Sequence, residues 1–98
     1  MTDKIDLSVI IPVYNEAKTC AEIIKRVQAI SIVNEIIVVD DASTDGTIDI
    51  LEAMDNIKVI RHEKNKGKGA AVRTGLAHVQ GNYVITQDAD LEYHPNDY

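Results

Sequence analysis

The hydrophobic positions of the chain fall into four short runs, at residues 7–13, 35–39, 57–60 and 83–86. They are rich in Ile and Val and mostly continuous, where a half-exposed strand would alternate. Continuous runs of this length suit buried parallel strands, covered on both faces, the last run included. Between them the period changes. Cys20, Ile23, Ile24, Val27 and Ile30 recur at i, i+3, i+4 and i+7, leaving Lys25, Arg26 and Gln28 for solvent. That spacing predicts a first helix, with Asn15 as its N-cap. A second helix is predicted over 46–54, capped by Ser43 or Thr44, with Ile48 and Leu51 facing inward. A third is predicted over 69–79, with Val72, Leu76 and Val79 on one side. Gly75 inside it costs ~1 kcal/mol against Ala, so close packing on the sheet is its expected reason. Gly81-Asn82 ends that helix and turns into the fourth strand.

The order β-α-β-α-β-α-β predicts an α/β domain, a Rossmann-like parallel sheet of four strands with right-handed crossovers. Ligands in such sheets bind beyond the carboxyl ends of the strands, where strand order reverses. The polar clusters fall at those ends: Tyr14-Asn15-Glu16 after the first strand, Asp40-Asp41 after the second, Asp88 to Glu92 after the fourth.

Composition narrows the reading. Ninety-eight residues make one domain, and without Phe or Trp the core must come from Ile, Val, Leu and Ala. A net charge of −6 weighs against a nucleic-acid partner. The single cysteine, Cys20, excludes an internal disulfide and reads as a small core residue of a reducing compartment. Neither a signal-peptide pattern nor a membrane-length apolar stretch is present, so a cytoplasmic location is expected.

The chemistry concentrates in Gln87-Asp88-Ala89-Asp90-Leu91-Glu92. In extended chain, alternate side chains share a side and stand ~6.5–7 Å apart, so Asp88, Asp90 and Glu92 can converge. Crowded carboxylates call for a cation, and hard oxygen donors suit Mg²⁺ or Mn²⁺, ions that commonly hold a diphosphate. Asp40 and Asp41 can accept from a nucleobase N–H or ribose hydroxyls, being more acid than a cap needs. Ser43, Thr44 and Asp45 read as turn and cap. Glu16 suits a binding role and the first turn of a helix equally. Lys64-Asn65-Lys66-Gly67-Lys68-Gly69 opens a helix, where backbone N–H groups and lysines can receive phosphate. It is no Walker loop, and Val72 stands where a dinucleotide fingerprint wants a small residue. His62, His78 and His94 lack zinc spacing. Tyr93 and His94 lie beside the acidic cluster, Pro95 marks a turn, and Arg73 reads as solvated.

Four segments in register, Val9-Ile-Ile-Pro-Val-Tyr-Asn-Glu16, Val38-Val-Asp-Asp-Ala-Ser-Thr-Asp-Gly-Thr47, Asn65-Lys-Gly-Lys-Gly-Ala-Ala-Val-Arg-Thr-Gly75 and Gln87-Asp-Ala-Asp-Leu-Glu92, resemble the N-terminal half of family 2 glycosyltransferases of the GT-A fold. Within them the likeness is to polyprenyl-phosphate (dolichyl-phosphate) mannosyl- and glucosyltransferases. The resemblance implies a nucleoside pocket at Pro12, Tyr14, Glu16 and Asp41, and a glycine-loop lysine at Lys68. It also implies a D-x-D pair, Asp88 and Asp90, framing metal and diphosphate, with Glu92 as a third metal ligand. The implied reaction transfers a sugar from GDP-mannose or UDP-glucose to a polyprenyl phosphate with inversion, assisted by Mg²⁺ or Mn²⁺. A phosphate acceptor is already ionised near neutral pH and needs no strong general base, and no acceptor-side catalytic residue is assigned.

Because the resemblance covers only the donor half, residues 1–98 are expected to be the nucleotide-sugar-binding piece of a longer protein. That piece would keep a nucleotide and metal site without turnover. Its fourth strand would lie at an exposed edge open to self-association. Other classes fit less well. A sugar nucleotidyltransferase carries a glycine- and arginine-rich loop after strand one, where this chain has Pro12-Val-Tyr-Asn-Glu16. A phosphoacceptor signalling domain expects a lone Asp after strand three, where this chain has Arg61-His62-Glu63. A nucleotide- and metal-binding or structural module without catalysis is the remaining alternative.

Overall fold

The computed structural model describes residues 6–89. In chain order they form β1 (Leu7–Val13), α1 (Cys20–Gln28), β2 (Val33–Asp40), α2 (Thr47–Glu52), β3 (Lys58–Arg61), α3 (Lys68–Leu76) and β4 (Tyr83–Thr86). The strands are all parallel and lie in the order β3-β2-β1-β4. The chain therefore steps outward from β1 through β2 to β3, then returns to place β4 on the other side of β1. Strand order reverses beside β1.

Strand periodicity sends alternate side chains to opposite faces. On one face Leu7, Val9, Ile11 and Val13 of β1 join Ile36 and Val38 of β2, covered by Cys20, Ile24 and Val27 of α1 and Leu51 of α2. On the other, Ile37 and Val39 of β2 meet Ala71 of α3. Every residue of β1 is buried, as a central strand with helices on both faces requires.

The third helix is phased differently from the expectation. Leu76 is exposed and Val72 and Val79 are only half-buried, while Ala71 and Gly75 face the sheet. A Cβ at Gly75 would stand 2.6 Å from Ile10 Cγ2. Close approach of α3 to β1 selects two small positions, four residues apart, over its bulkier aliphatic ones. Ile30 is exposed as well, because α1 ends at Gln28 and the chain leaves the helical face before reaching it.

The fourth strand lies at the exposed edge expected of it, and the buried position its continuous apolar run suggests is corrected. All four residues of β4 are exposed; it pairs with β1 alone, at the sheet edge. A continuous apolar run marks a covered strand only where helices lie over both faces, and among the described residues none covers this one.

At the amino ends of the strands Glu35 ties several segments together. It accepts from Ser8 Oγ (2.6 Å), Lys58 Nζ (2.6 Å) and the Gln80 N–H (3.0 Å), so β1, β3 and the α3–β4 turn all attach to β2. Burial alone would raise its pKa, but those hydrogen bonds outweigh it and hold the carboxyl at about 2. Among the described residues no helix is long and apolar enough to cross a membrane.

Candidate functional site

The loops at the carboxyl ends of β1 and β2 are stitched together by side chains that read in sequence as simple turn formers. Asn15 takes a left-handed backbone (φ 51°) instead of capping α1. Its N–H donates to Ser43 Oγ (2.8 Å), and its Oδ1 accepts the Thr44 N–H (2.8 Å). Next along, the Glu16 N–H donates to Thr47 Oγ1 (3.1 Å) and the Ala17 N–H to Asp45 Oδ2 (3.1 Å). Thr19 precedes α1, and its hydroxyl donates to the Ala89 carbonyl (2.6 Å), fastening the segment after β4 to the same assembly.

Ser43 and Thr44 do not cap α2 either. Gly46, at φ 91°, occupies the cap position, and Asp45 accepts both the N–H of Thr47 (3.1 Å) and its hydroxyl. The Thr47 hydroxyl, together with the Thr47 and Ala17 N–H groups, outweighs desolvation and lowers the Asp45 pKa.

The adjacent acids Asp40 and Asp41 have separate duties. Asp40 is fully buried and accepts the Ser43 N–H (3.1 Å) and hydroxyl (2.5 Å), so it closes its own turn. Ala42 follows the pair with φ 64°, a left-handed conformation costing ~1–2 kcal/mol in a residue with a Cβ. Asp41, also buried, faces the β3–α3 loop. It accepts from His62 Nδ1 (2.8 Å) and from the N–H groups of Lys66 (2.9 Å) and Gly67 (2.8 Å). Burial would raise its pKa, but these donors prevail and lower it, so the carboxylate stays ionised. Two of the amides the sequence offered to phosphate are therefore committed to Asp41. Gly67 needs to be glycine for this, since its backbone lies at φ 93°, ψ 163°.

These loops enclose a cavity of about 280 Å³ at the carboxyl ends of β1 and β4, where strand order reverses. Pro12, Tyr14, Glu16, Asp41, Lys68 and Asp88, six residues singled out from the sequence, all line it, with Asn65 and Gly67 between them. Pro12 is buried and Tyr14 half exposed. Lys68 Nζ donates to Asp88 Oδ1 in an ion pair whose two side chains are largely exposed. A cation and an anion that can both swing free suit a ligand carrying charge of either sign. Arg73 is exposed and stands outside the lining. A larger open groove, about 790 Å³, lies near the amino end of β2 and is lined by residues such as Lys25, Asn34 and Asp55. None of the six reaches it, so chemistry rather than size selects the smaller cavity.

Of the predicted metal ligands, Asp88 is at the cavity, and Asp90 and Glu92 lie outside the described residues. Tyr93, His94 and Pro95 lie outside them as well. Among the described residues no group of three His, Cys, Asp or Glu is arranged to hold a metal ion.

Residues 8–98 match the family model for Glycosyl transferase family 2. The chain belongs to that family. It is 37% identical over a 100-residue alignment to the undecaprenyl-phosphate 4-deoxy-4-formamido-L-arabinose transferase of Salmonella choleraesuis, covering 93% of this chain and 31% of that protein. It thus spans about a third of the length of such relatives. Among solved structures, the mannosyltransferase PcManGT from Pyrobaculum calidifontis, in complex with GDP-Man and Mn²⁺, superposes with a TM-score of 0.79 at 31% identity, over 91% of this chain and 28% of that one. The S. aureus TarS 1-349 complex with UDP gives 0.78 at 33% identity, over 87% and 27%. The fold of this family 2 chain is accordingly the α/β, parallel-sheet architecture of GT-A glycosyltransferases.

Sequence reasoning missed two residues of this family 2 site. His62 and Thr74 are absent from the cavity wall, yet His62 is bonded to Asp41 and Thr74 to His62. The usable signal was position. His62 directly follows a strand's carboxyl end, as Asp41 does, whereas metal-ligand spacing asked the wrong question of it.

Proposed function

We propose that this chain is the donor-binding region of a glycosyltransferase that moves a sugar from a nucleotide sugar of the GDP-mannose or UDP-glucose type to a polyprenyl phosphate, with inversion. The observation that carries the reading is the cavity at the strand-order reversal, in which an acid-lined end meets a Lys68–Asp88 end. It is supported by relatives named for an undecaprenyl-phosphate acceptor and by neighbours bound to GDP-Man or UDP.

In this reading Pro12 and Tyr14 bound the nucleoside, and Asp41 and Glu16 present carboxylates to base and ribose donors. Lys68, on its flexible stem, leaves Asp88 to meet the diphosphate. Asp88, Asp90 and Glu92 would hold Mg²⁺ or Mn²⁺. Asp88 fits that role as an exposed, hard oxygen donor at the cavity whose present partner is another cation. The bound ion would offset charge developing on the departing nucleoside diphosphate. A phosphate acceptor brings its own anionic oxygen, so these residues orient the donor and stabilise charge without removing a proton. A polyprenyl acceptor would place the reaction at the cytoplasmic face of a membrane.

Titration calorimetry of the chain with UDP and GDP, each with and without Mn²⁺, tests the reading. Metal-strengthened binding of one nucleotide is expected and names the donor base; binding of neither, under both conditions, removes the donor-site assignment.

A further inference from the structure

His62 touches no wall of the cavity, yet the loops around the cavity meet at its ring. It follows β3 directly, and its N–H donates to the Asp40 carbonyl (2.8 Å), extending the β2–β3 pairing by one residue. The ring is 7% exposed, with Nδ1 2.8 Å from Asp41 Oδ1 and Nε2 2.7 Å from Thr74 Oγ1 on α3. An ionised carboxylate only accepts, so Nδ1 carries a proton, and the Thr74 hydroxyl can serve Nε2 as donor. Asp41 is thereby oriented to take the N–H groups of Lys66 and Gly67 on its two oxygens. Gly67 is the residue from which α3 starts, and the next residue is Lys68, paired across the cavity with Asp88.

We infer that His62 is a positioning residue, which orients Asp41 so that Asp41 fixes the 64–69 loop and sets where Lys68 stands against the cavity. Thr74 supports it from behind by holding the ring's far nitrogen to α3. The node joins the carboxyl ends of β2 and β3 to the loop and helix that follow. It therefore couples the end of the cavity where Asp41 lies to the end where Lys68 meets Asp88. The consequence for ligand binding rests on the donor-site reading; the consequence for the loop does not.

The two are separated by measuring both. Amide hydrogen exchange by NMR in His62→Ala should show the Lys66 and Gly67 amides losing about tenfold or more of their protection relative to core β1 amides, since a carboxylate that loses its orienting donor holds them less firmly. Affinity for whichever of UDP or GDP the parent chain binds should fall about tenfold in parallel. His62→Asn can place an amide N–H near the Nδ1 position while leaving most of the ring space empty. It should restore the two amides and the affinity to within about threefold, though its melting temperature stays near that of the alanine variant. Thr74→Val, which removes the far hydroxyl at nearly constant volume, should shift the same two amides in the same direction by less; it serves as the test if His62→Ala fails to fold. Protection at Lys66 and Gly67 that follows the core in these variants, or that Asn fails to restore, overturns the positioning role. A parent chain that binds neither nucleotide would overturn the donor-site reading instead, and the exchange data would still judge His62.

Discussion

Glu35→Gln tests whether the sheet is clamped at the end opposite the cavity. The Glu35 side chain is 11% exposed and takes the Ser8 hydroxyl, the Lys58 ammonium and the Gln80 N–H. Its carboxyl sits at about 2 against an ordinary 4.5. A depression of about 2.5 pH units is equivalent to ~3 kcal/mol. Lys58 is 48% exposed, so water screens part of this, and ~2 kcal/mol is the expected contribution at neutral pH. The folded-state pKa lies below the unfolded one. The stability is therefore present above pH 4.5 and is lost as pH falls from 4.5 toward 2. Gln preserves the shape and can still accept from Ser8 or Gln80, but its amide nitrogen sets a donor against the Lys58 donor. Urea denaturation followed by circular dichroism should show the variant ~2 kcal/mol less stable at pH 7, about 10 °C in melting temperature for a domain of this size. By pH 3 the gap should shrink to less than about half, because the unfolded parent takes up a proton at Glu35 below pH 4.5 while the folded parent, held at about 2, largely does not. A gap of equal size at pH 7 and pH 3 would refute the argument, as would one below ~0.5 kcal/mol at pH 7.

Two further substitutions probe the packing of α3 and the charged end of the cavity. Gly75→Ala should destabilise the fold by ~1–3 kcal/mol despite the better helix propensity of Ala, because its Cβ would meet the buried Ile10 side chain at 2.6 Å; a melting temperature equal to or above the parent's would show that α3 can lift without cost. Lys68→Ala should change stability by less than ~0.5 kcal/mol, since both members of its ion pair are largely exposed, yet weaken nucleoside diphosphate binding about tenfold in calorimetry. Unchanged affinity would remove Lys68 from the site.

The fold was legible because its driving pattern is coarse. Four Ile- and Val-rich runs separated by helical spacing leave little choice but a parallel sheet with helices on it, and the strand ends follow from where those runs stop. Helix phase was less legible. In α3 the side facing the sheet is chosen by how closely two backbones can approach, a criterion that rewards Ala71 and Gly75 and that hydrophobicity ranks the wrong way. The burial of β4 could not be read from its own residues, since it depends on what lies over a strand rather than on what the strand contains. Tyr14, Glu16, Asp41 and Asp88 were found because a strand-end rule and a motif resemblance picked the same positions; Lys68 came from a glycine loop opening a helix, and Pro12 from the resemblance alone. The hydrogen-bond partners were not, because Asn15, Ser43, Thr44 and Asp45 read locally as turn and cap formers. The structure uses the same groups between loops about 30 residues apart.

That reuse explains how short loops can present charged groups with little covering structure. Tyr14 and Glu16 flank or belong to a backbone stretch held by Ser43, Thr47 and Asp45, so the Tyr14–Glu16 end of the cavity is fixed by residues 43–47 rather than by its own strand. Asp41 is fixed through His62, and the segment carrying Asp88 and Ala89 through Thr19. Each wall is thus held by a neighbour's side chain, while Lys68 and Asp88 have largely exposed side chains and meet only each other in the ion pair. If the cavity closes on a diphosphate, as proposed above, it benefits from that division. The groups that order the backbone are hydrogen-bonded to one another before any ligand arrives, so binding need only rearrange two flexible side chains, and little of its free energy is lost to ordering the loops.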